Sequence, residues 1–145
     1  MKLQFKSIVL TIVLVALLVL TTASSTQPKV KTCSNATLQG AYGSNQTGTL
    51  NGLPFAQVNR VVSDGNGNVT GSGTAVVNGV VSFPTFTATY TVNSDCTGSL
   101  TSVTPPGLTQ NFVIERDGSE VLFIVTAHPA GPATISGNAI NLDVK

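Results

Sequence analysis

The sequence predicts an all-β protein of about eight short antiparallel strands closed into a small up-and-down barrel. Three observations carry this expectation. β-Branched Val and Thr are abundant and strong helix formers are few, a balance that suits a pleated, half-buried surface. Fourteen Gly and seven Pro punctuate the 145-residue chain, as turns between short strands require. Residues 85–92 alternate strictly, with Phe86, Ala88, Tyr90 and Val92 on one face and Thr85, Thr87, Thr89 and Thr91 on the other. That period of two belongs to a strand.

The first 25 residues follow a different pattern. Lys2 and Lys6 make a basic start, residues 8–20 form a 13-residue apolar run broken only by Thr11, and residues 21–25 are small. This is the layout of a cleavable export signal, here cut after Ala23 or Ser25. A membrane span needs about 20 apolar residues, so no stable membrane anchor is expected after cleavage. The first Cys is Cys33, too far from the apolar run for lipidation. The expected location is therefore secreted or periplasmic. The chain carries seven basic and six acidic residues; removing Lys2 and Lys6 leaves five against six, a net charge of −1. Such a balance argues against nucleic acid as a partner and against a basic membrane patch. Charged residues make up 9% of the chain, against about 25% in an average soluble protein. Thr, Ser, Asn, Gln and Gly supply the polar surface instead.

Residues 26–35 read as an extended lead-in and 36–145 as a single β domain. Leu38, Gly40 and Tyr42 alternate with polar residues and make a first strand. Residues 43–53, rich in Gly, Asn and Thr, read as a loop. A second strand covers 55–63, and Asp64-Gly65-Asn66-Gly67-Asn68 is a dense turn signal. A third strand, 69–77, meets a fourth, 80–92, at Asn78-Gly79, a two-residue hairpin turn; Pro84 marks a bulge or an edge. Asn93-Ser94-Asp95 turns into strand five, 97–103. Pro105-Pro106-Gly107 stiffens the loop before strand six, 110–116, and Asp117-Gly118 turns into strand seven. Residues 121–126 are apolar on both faces, which predicts a central or covered strand. Residues 127–132 form a loop, and 133–144 supply strand eight, bent at Gly137. A meander of this kind leaves adhesive edges unless it closes. Closure into a calycin-like barrel is the expected architecture, and a two-sheet β-sandwich is the alternative.

Cys33 and Cys96 are the only cysteines. In an exported chain an even count predicts a disulfide, here closing a loop worth about 4 kcal/mol in the chain-entropy view. With no C-x-x-C and no neighbouring His, a metal or redox pair is not expected.

Catalytic constellations are sparse. His128 is the only histidine, it sits in a Pro/Gly loop, and no G-x-S-x-G elbow accompanies it. No catalytic residue, cofactor or metal centre is expected. Asp64, Asn66 and Asn68 imitate the opening of a calcium loop and are a weak calcium candidate. Val69 stands where such a loop needs Gly, and Ala75 where it needs the bidentate Glu. Turn chemistry explains the same three residues. Glu115, Arg116, Asp117 and Glu120 surround one hairpin and read as a solvated patch. Arg60 reads as an outward charge; if it pointed inward, Glu115 would be its candidate partner in a polar site. Asn35, Asn45 and Asn68 head glycosylation sequons. The aromatic residues Tyr42, Phe86, Tyr90, Phe112 and Phe123 are the candidates for lining the interior.

Three stretches carry a resemblance: Cys33-Ser-Asn-Ala-Thr-Leu-Gln-Gly-Ala-Tyr42, Asp64-Gly-Asn-Gly-Asn-Val-Thr-Gly71 and Tyr90-Thr-Val-Asn-Ser-Asp-Cys-Thr-Gly98. Together they resemble a group of small bacterial exported proteins of unknown function. The resemblance implies a bacterial source and a Cys33–Cys96 bridge; it implies no activity and no catalytic residues.

The functional expectation is an exported, non-catalytic barrel whose partner is a small apolar molecule or a surface component. A structural or interaction protein of the cell envelope or extracellular matrix is the alternative. A barrel-type cyclase or isomerase, using Tyr42, Arg60 and Glu115, is a third reading.

Overall fold

The computed structural model describes residues 32–143. The expected export signal and most of the expected lead-in lie outside these residues. The strands are β1 Gly40–Leu50, β2 Leu53–Ser63, β3 Asn68–Val77, β4 Val80–Ser82, β5 Thr85–Val92, β6 Thr97–Thr104, β7 Thr109–Glu115, β8 Glu120–Ala127 and β9 Ala133–Asn141. Every pairing is antiparallel. β9 returns to β1 and β2 pairs with β3, so eight strands close into an up-and-down barrel. Closure satisfies the edge groups that an open meander would expose.

The short β4 does not add a ninth stave. Ala75 pairs with Ser82 and Ser72 with Thr85, so β4 and β5 run along β3 in one unbroken register. Phe83 and Pro84 interrupt a single strand over 80–92, as Pro84 predicted. Pro has no N–H to give the ladder, yet its carbonyl accepts the Gly73 N–H at 3.1 Å.

The barrel has two unlike ends. At the closed end lie the β2–β3, β5–β6 and β7–β8 turns. A 3₁₀ turn, Asn35–Leu38, leads into β1 and buries Leu38 there. The Cys33–Cys96 disulfide ties this segment to the β5–β6 turn, with the two Cα atoms 5.0 Å apart. Tyr90 Oη accepts from Ser63 Oγ at 2.8 Å and donates to the Asn35 carbonyl at 2.9 Å. The Asn35 side chain accepts the Val92 N–H at 2.8 Å. Tyr42 Oη donates to the Gly118 carbonyl at 2.9 Å. The apolar cluster here includes Cys33, Leu38, Tyr42, Val69, Tyr90, Phe112, Ile114 and Val121.

At the open end lie the β1–β2, β3–β4, β6–β7 and β8–β9 connections. A smaller cluster of Leu50, Phe55, Ala75, Val125 and Ile135 fills only the side formed by β1, β2, β3, β8 and β9. The side formed by β5, β6 and β7 is left to loops.

Two expectations need correction. Residues 43–53 do not form a loop: β1 runs to Leu50, and only Asn51-Gly52 turn. The alternation persists there, but its inward positions are Ser44 and Gln46 rather than apolar residues, so the hydrophobic signal fades. Residues 121–126 are not covered on both faces: Leu122 is 42% and Ile124 51% exposed on the outer wall.

Candidate functional site

The inward side chains do not fill the barrel. A cavity of about 390 Å³ runs from Leu38, Tyr42 and Tyr90 at the closed end to Ser82, Pro84, Pro105, His128 and Pro129 at the open end. Its volume falls within the usual range for small-molecule sites. Small eight-stranded barrels either pack solid or hold one small ligand, and this one has room.

The room comes from glycines. Gly71 faces Phe86 across the β3–β5 pair, Gly98 faces Phe112 across β6–β7, and Gly137 faces Phe123 across β8–β9. Each ring tip lies over the glycine of the neighbouring strand: a Cβ on Gly71, Gly98 or Gly137 would meet the ring's Cζ at 2.3, 2.3 and 2.8 Å. The rings therefore lie along the wall instead of reaching across the interior. A Cβ at Gly71 would collide with the Phe86 ring alone, whereas at Gly98 and Gly137 it would also meet the Thr91 and Asn45 carbonyl oxygens, at 2.5 and 2.0 Å.

The cavity has a polar band. Ser44 and Gln46 from β1 pair across the strands with Asn59 and Gln57 from β2. Gln57 Nε2 donates to Asn59 Oδ1 at 2.7 Å, and Asn59 Nδ2 donates to Ser44 Oγ at 3.2 Å. The Gln46 amide faces the same space. Ser102 and Gln110 contribute from the opposite wall. Ser102 Oγ also clamps the mouth loop, donating to the Pro105 carbonyl and accepting the Leu108 N–H at 3.1 Å.

Among the described residues, no Lys, Arg, Asp or Glu lines the cavity. Its ionisable groups are the tyrosine hydroxyls and His128. Burial raises the Tyr42 pKa above the ordinary tyrosine value, so this hydroxyl stays protonated. Burial lowers the His128 pKa, favouring the neutral ring, and its Nδ1 accepts the Ala130 N–H at 3.1 Å.

The structure places all five aromatic candidates, Tyr42, Phe86, Tyr90, Phe112 and Phe123, on the cavity wall. It keeps Arg60 and Glu115 apart. Arg60 is exposed on the outer face of β2, Glu115 is exposed at the end of β7, and these strands stand four places apart either way around the barrel. The polar site suggested for that pair does not form. The polar band of Ser44, Gln46, Gln57 and Asn59 was missed in the sequence reading. Its signal was there: amide and hydroxyl side chains recur every second residue in two consecutive segments.

Asp64, Asn66 and Asn68 do come together, but they serve the turn. Asp64 Oδ1 accepts the N–H groups of Asn66 and Asn68 at 2.7 and 3.0 Å, and Oδ2 accepts Asn68 Nδ2 at 2.7 Å. These hydrogen bonds, led by the Asn68 side chain, hold the Asp64 carboxyl below the usual aspartate value. Among the described residues, no group of three or more His, Cys, Asp or Glu side chains could hold a metal ion.

Comparison with protein-family models, curated proteins and solved structures finds no match for this chain.

Proposed function

We propose that this protein is an exported, non-catalytic binding barrel that holds one small, uncharged amphiphilic molecule in its interior. The observation that carries this reading is the cavity of about 390 Å³ with an apolar, aromatic lining, an amide band and, among the described residues, no charged side chain. Burying an unpaired charge there would be costly, so the ligand is neutral. The side chains of Gln46, Gln57 and Asn59 offer both donors and acceptors to a hydroxyl, carbonyl or amide on one edge of the molecule. Phe86, Leu100, Phe112 and Phe123 receive its apolar body. The leader-like start of the sequence and the Cys33–Cys96 disulfide support an oxidising location outside the cytoplasm.

Native mass spectrometry of the secreted protein tests this, together with titration of a neutral apolar fluorescent dye. A bound neutral mass, or saturable dye binding weakened in a Gly71→Ala variant, is expected. In that variant the new Cβ displaces the Phe86 ring into the cavity. Repeated isolation without bound mass and without dye binding would remove the reading.

A further inference from the structure

Gln46 stands midway along β1, between Tyr42 toward the closed end and Leu50 toward the open end. It is 8% exposed and lines the cavity. Ser44 and Gly48 lie two residues away along the strand, Gln57 is opposite on β2 and Gly137 opposite on β9. The two glycines have no side chain to offer. Gln57 and Ser44 are engaged with Asn59, which accepts from Gln57 Nε2 at 2.7 Å and donates to Ser44 Oγ at 3.2 Å. The other buried polar side chains described, Ser63 and Ser102, are hydrogen-bonded as well. Among the described residues, the Gln46 amide has no hydrogen-bond partner, although its residue is more than nine-tenths buried. No polar atom sealed off from solvent lacks a partner there, so this amide is open to the cavity that it lines.

A buried amide without a partner is costly, and native interiors leave few such groups unmet. Its donor and acceptor stand side by side. A hydroxyl, ether or ketone meets one of them. A planar group with an N–H beside a C=O on one edge meets both through two parallel hydrogen bonds, the way Gln reads the paired donor and acceptor of adenine. The ring of a lactam fixes that arrangement. An open-chain secondary amide is trans and points the two groups in opposite directions. A carboxylate is excluded, because the cavity lining holds no cation among the described residues to offset a buried charge. Gly137 also pairs with Phe123, whose ring tip lies over it, so an aromatic surface adjoins the amide.

We infer that Gln46 is the specificity-determining residue of the cavity and selects a neutral lactam carried on a flat apolar body. This rests on the binding-barrel reading and narrows its ligand from any uncharged amphiphile to one chemical class. The lactam edge pairs with the Gln46 amide, and the apolar body lies against Phe123 and the neighbouring aromatic wall. Selectivity follows from polarity. A lactam is costlier to desolvate than a ketone of the same shape, so an apolar cavity prefers the ketone unless a matched amide receives the lactam.

The test is titration calorimetry of the secreted protein with four probes of nearly one shape: the lactam dihydrocarbostyril, its N-methyl derivative, the lactone dihydrocoumarin and the ketone β-tetralone. Wild type is expected to bind the lactam about tenfold more tightly than each of the other three, as loss of one buried hydrogen bond implies. Gln46→Leu is expected to reverse the order, with β-tetralone bound more tightly than the lactam. Thr49→Val, on the exposed face of β1, keeps the wild-type order. Wild type that takes up the neutral dye but binds the lactam no more tightly than its N-methyl derivative or the ketone would overturn the inference. Water would then be what completes Gln46, and the binding-barrel reading would stand. A lactam preference that survives in Gln46→Leu would overturn the role given to this residue. Wild type that binds neither the dye nor any of the four probes would remove the binding-barrel reading, and this inference with it.

Discussion

The two ends of this barrel are made of the same kinds of strand and hold together differently. The closed end combines a disulfide, a 3₁₀ turn that buries Leu38, tyrosine hydroxyls hydrogen-bonded to backbone or side-chain oxygen, and every Asp and Glu of the chain. The open end has a five-residue apolar cluster on one side and uncharged loops on the other. Stability is concentrated where the barrel is plugged, which leaves the mouth free to keep an unfilled space. A fold that must hold a cavity loses packing there and makes up the loss elsewhere.

Removing the bridge is the strongest way to break this contrast. The Cys33→Ser/Cys96→Ser double variant is expected to lose about 4 kcal/mol in a urea or thermal melt, since a crosslink of this span restrains the unfolded chain. Next comes Tyr90→Phe. It deletes a hydroxyl that bonds both Ser63 and Asn35, so a loss of about 1–3 kcal/mol is expected, measured by the same melts. A subtler comparison concerns Cys96 itself, which sits at φ 70° in the turn after β5. In a Cys33→Ser background, Cys96→Gly should be more stable than Cys96→Ala by about 1 kcal/mol, because only glycine takes that conformation without a steric penalty. At the opposite end, Phe83→Ser should change stability by no more than about 0.5 kcal/mol, since Phe83 is 78% exposed and its side chain packs against little. Equal losses at Tyr90 and Phe83 would erase the distinction between the ends.

The smallest expected effect is a pH dependence at the mouth. Burial lowers the folded pKa of His128 below the ordinary 6.5, so the unfolded chain binds that proton more readily. The associated stability is fully present above pH 6.5 and is lost as pH falls through the folded value. Asp64 and Asp95, also lowered, titrate below 3.8 and act only in stronger acid. Thermal melts between pH 7 and 5 should therefore slope downward in wild type and be flatter in His128→Gln.

Most strands were legible because their alternation is hydrophobic: Phe86, Ala88 and Tyr90 against threonines leave no other reading. Residues 43–50 were not legible as a strand because Ser44 and Gln46 face inward. A pattern rule that equates inward with apolar fails where an interior is polar. That failure falls on the wall that carries the amide band of the cavity. Pro84 was legible as an interruption, since its missing N–H limits where a strand can tolerate it. Leu122 and Ile124 misled because apolar residues also occupy exposed outer walls.

By itself the sequence determined the strand class, the hairpin turns, the two-cysteine staple and the shortage of charge, because each follows from local backbone preference, composition or residue count. Only the tertiary structure decided that Gly71, Gly98 and Gly137 lie beneath Phe86, Phe112 and Phe123, and so that the barrel is hollow. It alone gathered six carboxylates, scattered from position 64 to position 143, at one end and left the other uncharged. Both outcomes depend on register and closure. These set which residues of distant segments become neighbours, and no local pattern encodes them.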